Sequence, residues 1–296
     1  MKKLGRLLTA MVTPFSARGG VDYEQAKRLA LALLSSGSEG VVVAGTTGES
    51  PTLLREEERR LFAEVKLAVG EQGSVIAGTG SNSTAEALET TREAERIGVD
   101  ACLLVVPYYN RPTQEGLYQH FKTIAQSTDL PCILYNVPSR TVVNLTTETV
   151  IKLSLMDNII GVKEASGNLE QIANIISGTK EGFLVWSGND NDTLPILVAG
   201  GYGIISVASH LVGNQIKGMI DSFIGGKLGE VTSIHSRLLP LINALFIVSN
   251  PIPVKYALNY VGFNVGKPRL PLTELDEKSA ALIRDTLQNY HIDLPI

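Results

Sequence analysis

Long hydrophobic runs, disulfide-forming sets of cysteines and any excess of basic charge are missing from this chain of 296 residues. No stretch approaches the ~20 consecutive apolar residues of a membrane-spanning helix. The segment from Met1 to Ala10 carries Lys2, Lys3 and Arg6 but lacks the apolar region of a signal peptide. Cys102 and Cys132, the two cysteines, both sit inside apolar strand-like runs. A thiol there behaves as a small core hydrophobe, so the expectation is a cytoplasmic protein with reduced cysteines. With 26 Lys and Arg against 30 Asp and Glu, the formal net charge is -4, and no basic cluster interleaves with aromatics. That argues against nucleic acid and anionic membranes as partners and for a small-molecule ligand. The four histidines, His120, His210, His235 and His291, are scattered, with no His-x-x-x-His spacing and no carboxylate-rich loop beside them, which disfavours a metal centre. A Walker pattern, a Gly-x-Gly-x-x-Gly after the first strand and a Gly-x-Ser-x-Gly elbow are absent too, which leaves phosphate-loop, dinucleotide and serine-hydrolase chemistry without support.

What is present is a repeating alternation in a chain that is 44% hydrophobic and 19% charged, ordinary for a globular protein. Leu7 to Val12 reads as a strand ending at Thr13-Pro14-Phe15, followed by an amphipathic helix from Asp22 to Ser36 with Asp22 as its cap and Gly37 closing it. The same grammar recurs. Strands are expected from Gly40 to Ala44, Ser74 to Ala77, Asp100 to Val106, in the apolar runs that end at Tyr135 and Lys163, and from Phe183 to Trp186 and Ile204 to Val207. Helices are expected from Arg55 to Val69, Thr84 to Ile97, Gln114 to Ser127, Thr146 to Met156 and Leu169 to Ser177. Eight such units predict a closed (β/α)8 barrel over residues 1–209. Helices from His210 to Ile224, Leu228 to Ser249, Pro253 to Val261 and Glu274 to Gln288 predict a C-terminal helical subdomain over 210–296, with Pro251 and Pro253 breaking the second from the third.

The organising stretch is Pro131-Cys132-Ile133-Leu134-Tyr135-Asn136-Val137-Pro138-Ser139-Arg140, followed one helix later by Asn158-Ile159-Ile160-Gly161-Val162-Lys163-Glu164. Short apolar runs of this kind are strands buried on both faces, so Tyr135 and Lys163 emerge together at the end of adjacent parallel strands. A lysine at a strand end is more often salt-bridged or snorkelling, and Glu164 follows directly. Beside a phenol it reads instead as an amine whose charge burial disfavours, able to attack a carbonyl and form a Schiff base. Gly45-Thr46-Thr47-Gly48-Glu49 offers hydroxyls and N–H groups for a small anion, or is merely a tight turn with a capping threonine.

The chain resembles the 4-hydroxy-tetrahydrodipicolinate (dihydrodipicolinate) synthase family, within the pyruvate-dependent Schiff-base aldolase and lyase superfamily. The matching motifs are Gly45 to Ser50, Pro107-Tyr108-Tyr109-Asn110-Arg111-Pro112-Thr113-Gln114-Glu115-Gly116, Tyr135 to Thr141, Gly161 to Ala165 and Asn250-Pro251-Ile252-Pro253-Val254-Lys255. The resemblance implies condensation of pyruvate with L-aspartate 4-semialdehyde, the first committed step of the diaminopimelate and lysine pathway, with no metal or organic cofactor. It implies that Lys163 forms the imine, Thr46 and Thr47 hold the pyruvate carboxylate, and Tyr135, Thr47 and Tyr109 relay protons. Arg140 then binds the aldehyde's carboxylate, Gly188 and Ile205 surround the imine, and Tyr109 enters a neighbouring subunit's site in a homo-oligomer, a dimer or a dimer of dimers.

The nearest alternative is another pyruvate-using class I aldolase, such as N-acetylneuraminate lyase, against which Arg140 and the Tyr108-Tyr109 pair argue. A feedback site for L-lysine is implied in part by Ser50, Asn82, Glu86 and Tyr108. Pro51, Arg55 and Glu58 depart from that pattern, standing where it has an alanine and two histidines. Arg55 as a like charge to the ligand's ammonium predicts weak inhibition or none.

Overall fold

In the computed structural model, which describes residues 4–296, eight parallel strands close into a barrel in chain order. They are β1 (Leu7–Ala10), β2 (Gly40–Val43), β3 (Ser74–Gly78), β4 (Ala101–Val105), β5 (Cys132–Asn136), β6 (Ile159–Glu164), β7 (Leu184–Ser187) and β8 (Gly203–Ser206). Pairing of Leu8 with Ile205 closes the ring between β1 and β8. The expected (β/α)8 barrel is therefore observed. Its outer layer begins with α1 (Tyr23–Ser35), α2 (Arg55–Val69), α3 (Thr84–Ile97) and α4 (Gln114–Ala125). Side-chain caps start several of these: the Asp22 carboxylate accepts from the Gln25 N–H at 3.0 Å, and the Thr113 hydroxyl from the Gly116 N–H at 3.2 Å. Each satisfies an N–H that the first helical turn leaves without a partner.

After β5 the chain differs from the simple alternation. A one-turn helix, α5 (Pro138–Thr141), precedes α6 (Thr147–Ser154) and α7 (Leu169–Gly178), and a short α8 (Thr193–Val198) follows β7 where no helix was expected. Both extra helices are too short for a helical period to show in sequence, and each contains a proline near its start. Beyond β8 come α9 (Ser209–Ile224), α10 (Leu228–Ala244), α11 (Ile252–Tyr260) and α12 (Glu277–Leu287). The second of these stops at Ala244 rather than Ser249, so Phe246 to Asn250 form an irregular turn. Pro253 stands in the first turn of α11, where a missing N–H costs nothing.

Two apolar layers hold the barrel. Alternate strand residues such as Leu7, Val41, Val43, Leu104 and Leu134 point outward and pack under the helices. Their neighbours Leu8, Val42, Ile76, Leu103, Ile133 and Trp186 fill the interior. Gly161 makes room for that filling: a Cβ there would lie 2.8 Å from the Trp186 ring and 2.2 Å from the Leu184 carbonyl. Cys102 and Cys132 are free and buried, and burial pushes the Cys102 thiol up to about 12, so it is inert core. Among the described residues, no helix is long and apolar enough to cross a membrane.

Candidate active site

Tyr135 and Lys163 are register partners on β5 and β6, and Lys163 is paired in turn with Trp186 on β7. All three face the barrel interior at its C-terminal end, the end where barrels of this architecture carry their sites. Lys163 is 5% exposed, and its Nζ lies 4.2 Å from the centroid of the Tyr135 ring. Glu164 does not pair with it. Successive strand residues face opposite ways, and the Glu164 carboxylate points outward, accepting from Asn136 Nδ2 at 3.1 Å and from the Ser166 N–H at 2.8 Å. Among the described residues no carboxylate lies within ion-pair distance of Lys163. The amine is buried against an aromatic face, with no carboxylate in direct contact with it.

Tyr135 lines a cavity of about 240 Å³ together with Thr46, Ser50, Tyr108 and Arg140, while Lys163 touches the Tyr135 ring and is not itself part of the lining. Thr46 and Thr47 sit on the turn after β2. The resemblance implies both at the pyruvate carboxylate and Thr47 in the relay; in the fold Thr46 lines the cavity beside Tyr135, and Thr47 does not. The Thr47 hydroxyl, nearly buried, accepts from Asn250 Nδ2 at 2.9 Å. Gly48 allows a close approach, since a Cβ would meet Ala44 backbone atoms at 3.1 Å. Arg140, exposed on α5 at the cavity mouth, donates from Nη2 to the Asn250 carbonyl at 3.1 Å. Gly188 packs behind the lysine strand, its N–H bonded to the Glu164 carbonyl at 2.7 Å, and Ile205 belongs to the interior layer.

Of the expected residues, Tyr109 stands furthest from the interior. It is 89% exposed, does not line the cavity, and is held at φ 73°, a left-handed conformation that is costly for a side chain of this size.

Three supports were not foreseen. Glu49, two residues past Thr47, forms a fully buried ion pair with Lys255 at 2.8 Å, and the same ammonium donates to the carbonyls of Thr13 and Lys267. Burial pushes the Lys255 ammonium down, and the Glu49 charge opposes it. The Arg269 N–H bonds the other Glu49 oxygen at 2.8 Å. Asp190, after β7, accepts from the Ser206 hydroxyl and from the N–H groups of Val207 and Ala208, fixing the loop after β8. Its carboxyl is raised by burial, against which these hydrogen bonds and the charge of Lys163 act. A lysine inside the apolar run Pro253-Val254-Lys255-Tyr256-Ala257 was a sequence signal for a buried pair, but nothing pointed to Glu49 as the partner.

A second cavity, of about 260 Å³, adjoins the first and shares Ser50, Pro51 and Tyr108 with it; Arg55, Glu58 and Glu86 complete its charged lining. Arg55 reaches Glu89 at 2.7 Å and Glu93 at 3.6 Å, and Glu58 accepts from the Ser50 hydroxyl at 2.6 Å. Burial raises the Glu58 carboxyl to about 7. Asn82 lies outside this lining, on the adjoining loop, where its carbonyl accepts from Asn110.

A barrel with an unpaired amine, a phenol and a hydroxyl-bearing turn at its C-terminal mouth is the framework of an enzyme that works on carbonyl compounds. The chain belongs to the dihydrodipicolinate synthetase family, whose model matches residues 3–290. It is 68% identical over 296 residues, all of both chains, to a 4-hydroxy-tetrahydrodipicolinate synthase of Dehalococcoides mccartyi strain CBDB1. Among solved structures it resembles dihydrodipicolinate synthase from Bacillus anthracis, with a TM-score of 0.96 and 44% identity over 98% of this chain and 100% of that one. It also resembles the enzyme from Cyanidioschyzon merolae with lysine bound, with a TM-score of 0.94 and 48% identity over 97% and 98% of the two chains.

Proposed function

We propose that the protein condenses pyruvate with L-aspartate 4-semialdehyde through a Schiff base on Lys163, giving 4-hydroxy-tetrahydrodipicolinate and water. The observation that carries this reading is the burial of Lys163 against Tyr135 with no carboxylate partner. The Lys163 amine attacks the pyruvate carbonyl and water leaves, forming an imine whose neighbouring methyl is acidic. Loss of a methyl proton gives an enamine, which adds to the aldehyde carbon as the aldehyde oxygen gains a proton. The aldehyde substrate's own amine then displaces Lys163, closing the ring and freeing the enzyme.

Tyr135 is positioned to carry these protons. For the middle group of the relay we favour Thr46 over Thr47, because Thr46 lines the cavity with Tyr135 while Thr47 is bonded to Asn250. Thr47 then holds the pyruvate carboxylate, and Arg140 offers the aldehyde's carboxylate a planar fork of donors. Gly188 and Ile205 border the imine. We assign the final relay position to Tyr109 of a neighbouring subunit, since an exposed aromatic in strained backbone is a costly feature without a role across an interface. Residues 1–209 supply the catalytic barrel and 210–296 the helical subdomain, in a cytoplasmic dimer or dimer of dimers.

Borohydride added with pyruvate tests the reading. A stable mass adduct on Lys163 is expected, and a folded protein that gives none overturns it. Turnover with pyruvate plus the aldehyde, against turnover with N-acetylneuraminate, separates the reading from the lyase alternative.

A second reading concerns the adjoining cavity. Ser50, Glu86 and Tyr108 line it with Glu58, a set with carboxylates for an ammonium group. We read it as a weak L-lysine site near pH 7, because Glu58 titrates there and supplies only part of its charge.

A further inference from the structure

We infer that Asn250, on the turn between α10 and α11, is a positioning residue that joins the binding groups of the two substrates: its side-chain amide aims the Thr47 hydroxyl, and its main-chain carbonyl holds the Arg140 guanidinium. The inference rests on the reading of Thr47 and Arg140 given above and deepens it.

Asn250 Nδ2 donates to Thr47 Oγ1 at 2.9 Å, and the Asn250 carbonyl accepts from Arg140 Nη2 at 3.1 Å. The residue is 6% exposed. A threonine hydroxyl has one hydrogen and two lone pairs. Because the amide donates to a lone pair, the hydrogen of Thr47 stays free for an incoming carboxylate. An acceptor at the same place would capture that hydrogen and turn it away from the substrate. A donor is therefore what this position needs.

Among the described residues, Asn250 Oδ1 is buried with no protein hydrogen-bond partner. Rotating the amide by half a turn would only move the deficit to Nδ2 and its two hydrogens. Either way the one side-chain hydrogen bond that Asn250 makes to the described residues is the one to Thr47. Five residues on, Lys255 grips Glu49 on the same turn after β2. The segment from Asn250 to Lys255 thus holds that turn at two points, one of them next to the substrate group.

The test uses the full chain. Asn250→Ala removes the amide and keeps the main-chain carbonyl, so KM for pyruvate should rise roughly tenfold while KM for the aldehyde stays near wild type. Its Tm should hold or rise. Asn250→Asp has the same shape with acceptors only, and should harm pyruvate use more than alanine does, by capturing the Thr47 hydrogen and repelling the substrate carboxylate. Thr47→Val should raise the pyruvate KM by a similar factor, and the Thr47→Val/Asn250→Ala double variant should be no worse than either single one.

Borohydride trapping at saturating pyruvate shows that each variant is folded and keeps its amine, and Asn250→Asp carries the test should the alanine variant fail to fold. An unchanged pyruvate KM in Asn250→Ala beside a raised one in Thr47→Val overturns the role of Asn250 alone. An unchanged value in both overturns the role of Thr47 as well. Equal rises for both substrates, or a steep fall in Tm, mark a structural contact and also overturn the inference.

Discussion

Lys163 and Lys255 are buried almost equally, at 5% and 1% exposure, in two regions with opposite surroundings. Around Lys255 the fold has gathered a carboxylate, two carbonyls and the face of Phe15, whose centroid is 4.1 Å from Nζ. Each of the three ammonium hydrogens has an acceptor. Against Lys163 lies the ring of Tyr135, which itself lines the cavity. Burial alone therefore does not make a lysine reactive. The paired amine is a structural pin on the turn that carries Thr46 and Thr47, and the unpaired one is the amine we propose for the Schiff base.

Exchanging the fates of the two lysines sharpens this contrast most. Lys163→Ala should abolish pyruvate trapping and nearly all turnover while the protein still folds, because it deletes the covalent step and no ion pair. Retained trapping in that variant would break the assignment. Next in size, Glu49→Gln should cost about 3–5 kcal/mol of stability by leaving the Lys255 charge buried and unmatched. Urea unfolding measures it. The paired replacement Glu49→Leu/Lys255→Met should recover much of the loss, and a single variant no less stable than wild type would show that the pair holds nothing.

Arg140→Ala should be milder than either. Trapping by pyruvate should persist, with turnover on aspartate semialdehyde lost through a raised KM; unchanged kinetics for the aldehyde would remove Arg140 from that role. Mixing Tyr109→Phe with Lys163→Ala subunits should restore activity in some mixed oligomers, because one site then has both groups intact. Mass-verified mixtures that stay inactive would count against a shared relay.

The smallest effect concerns Glu58. Its carboxyl is raised from 4.5 to about 7 by burial, against the hydrogen bond from Ser50 and the charge of Arg55. The folded state thus binds a proton that the unfolded chain releases. That contribution to stability is full below about pH 4.5, declines as pH rises through about 7, and is absent above. Glu58→Gln should flatten this part of the stability profile. Inhibition by L-lysine, weak near neutrality, should strengthen at higher pH as Glu58 ionises, and initial rates at several pH values test it. Strong, pH-independent inhibition would contradict the reading of this cavity.

The barrel was legible in the chain because its strands and helices announce themselves by local periods. The unit from Arg55 to Val69 lies where the pattern placed it. Lys163 and Tyr135 were legible for a related reason: each ends an apolar run, and parallel pairing brings such ends to one rim. Helices α5 and α8 were not, being shorter than the period that would reveal them. Nor was the pairing of Arg55 with Glu89 and Glu93, which weakens the like-charge argument made from Arg55 alone.

The sequence by itself determined the order of the eight strands and the longer helices and the polar groups that end the strands, because each depends on residues a few positions apart. Only the tertiary structure decided which buried lysine is paired and what holds the threonine turn. Those answers join Glu49 to Lys255 and Thr47 to Asn250 across more than 200 residues of chain, and no local pattern encodes which buried groups will meet once a ring of strands has closed.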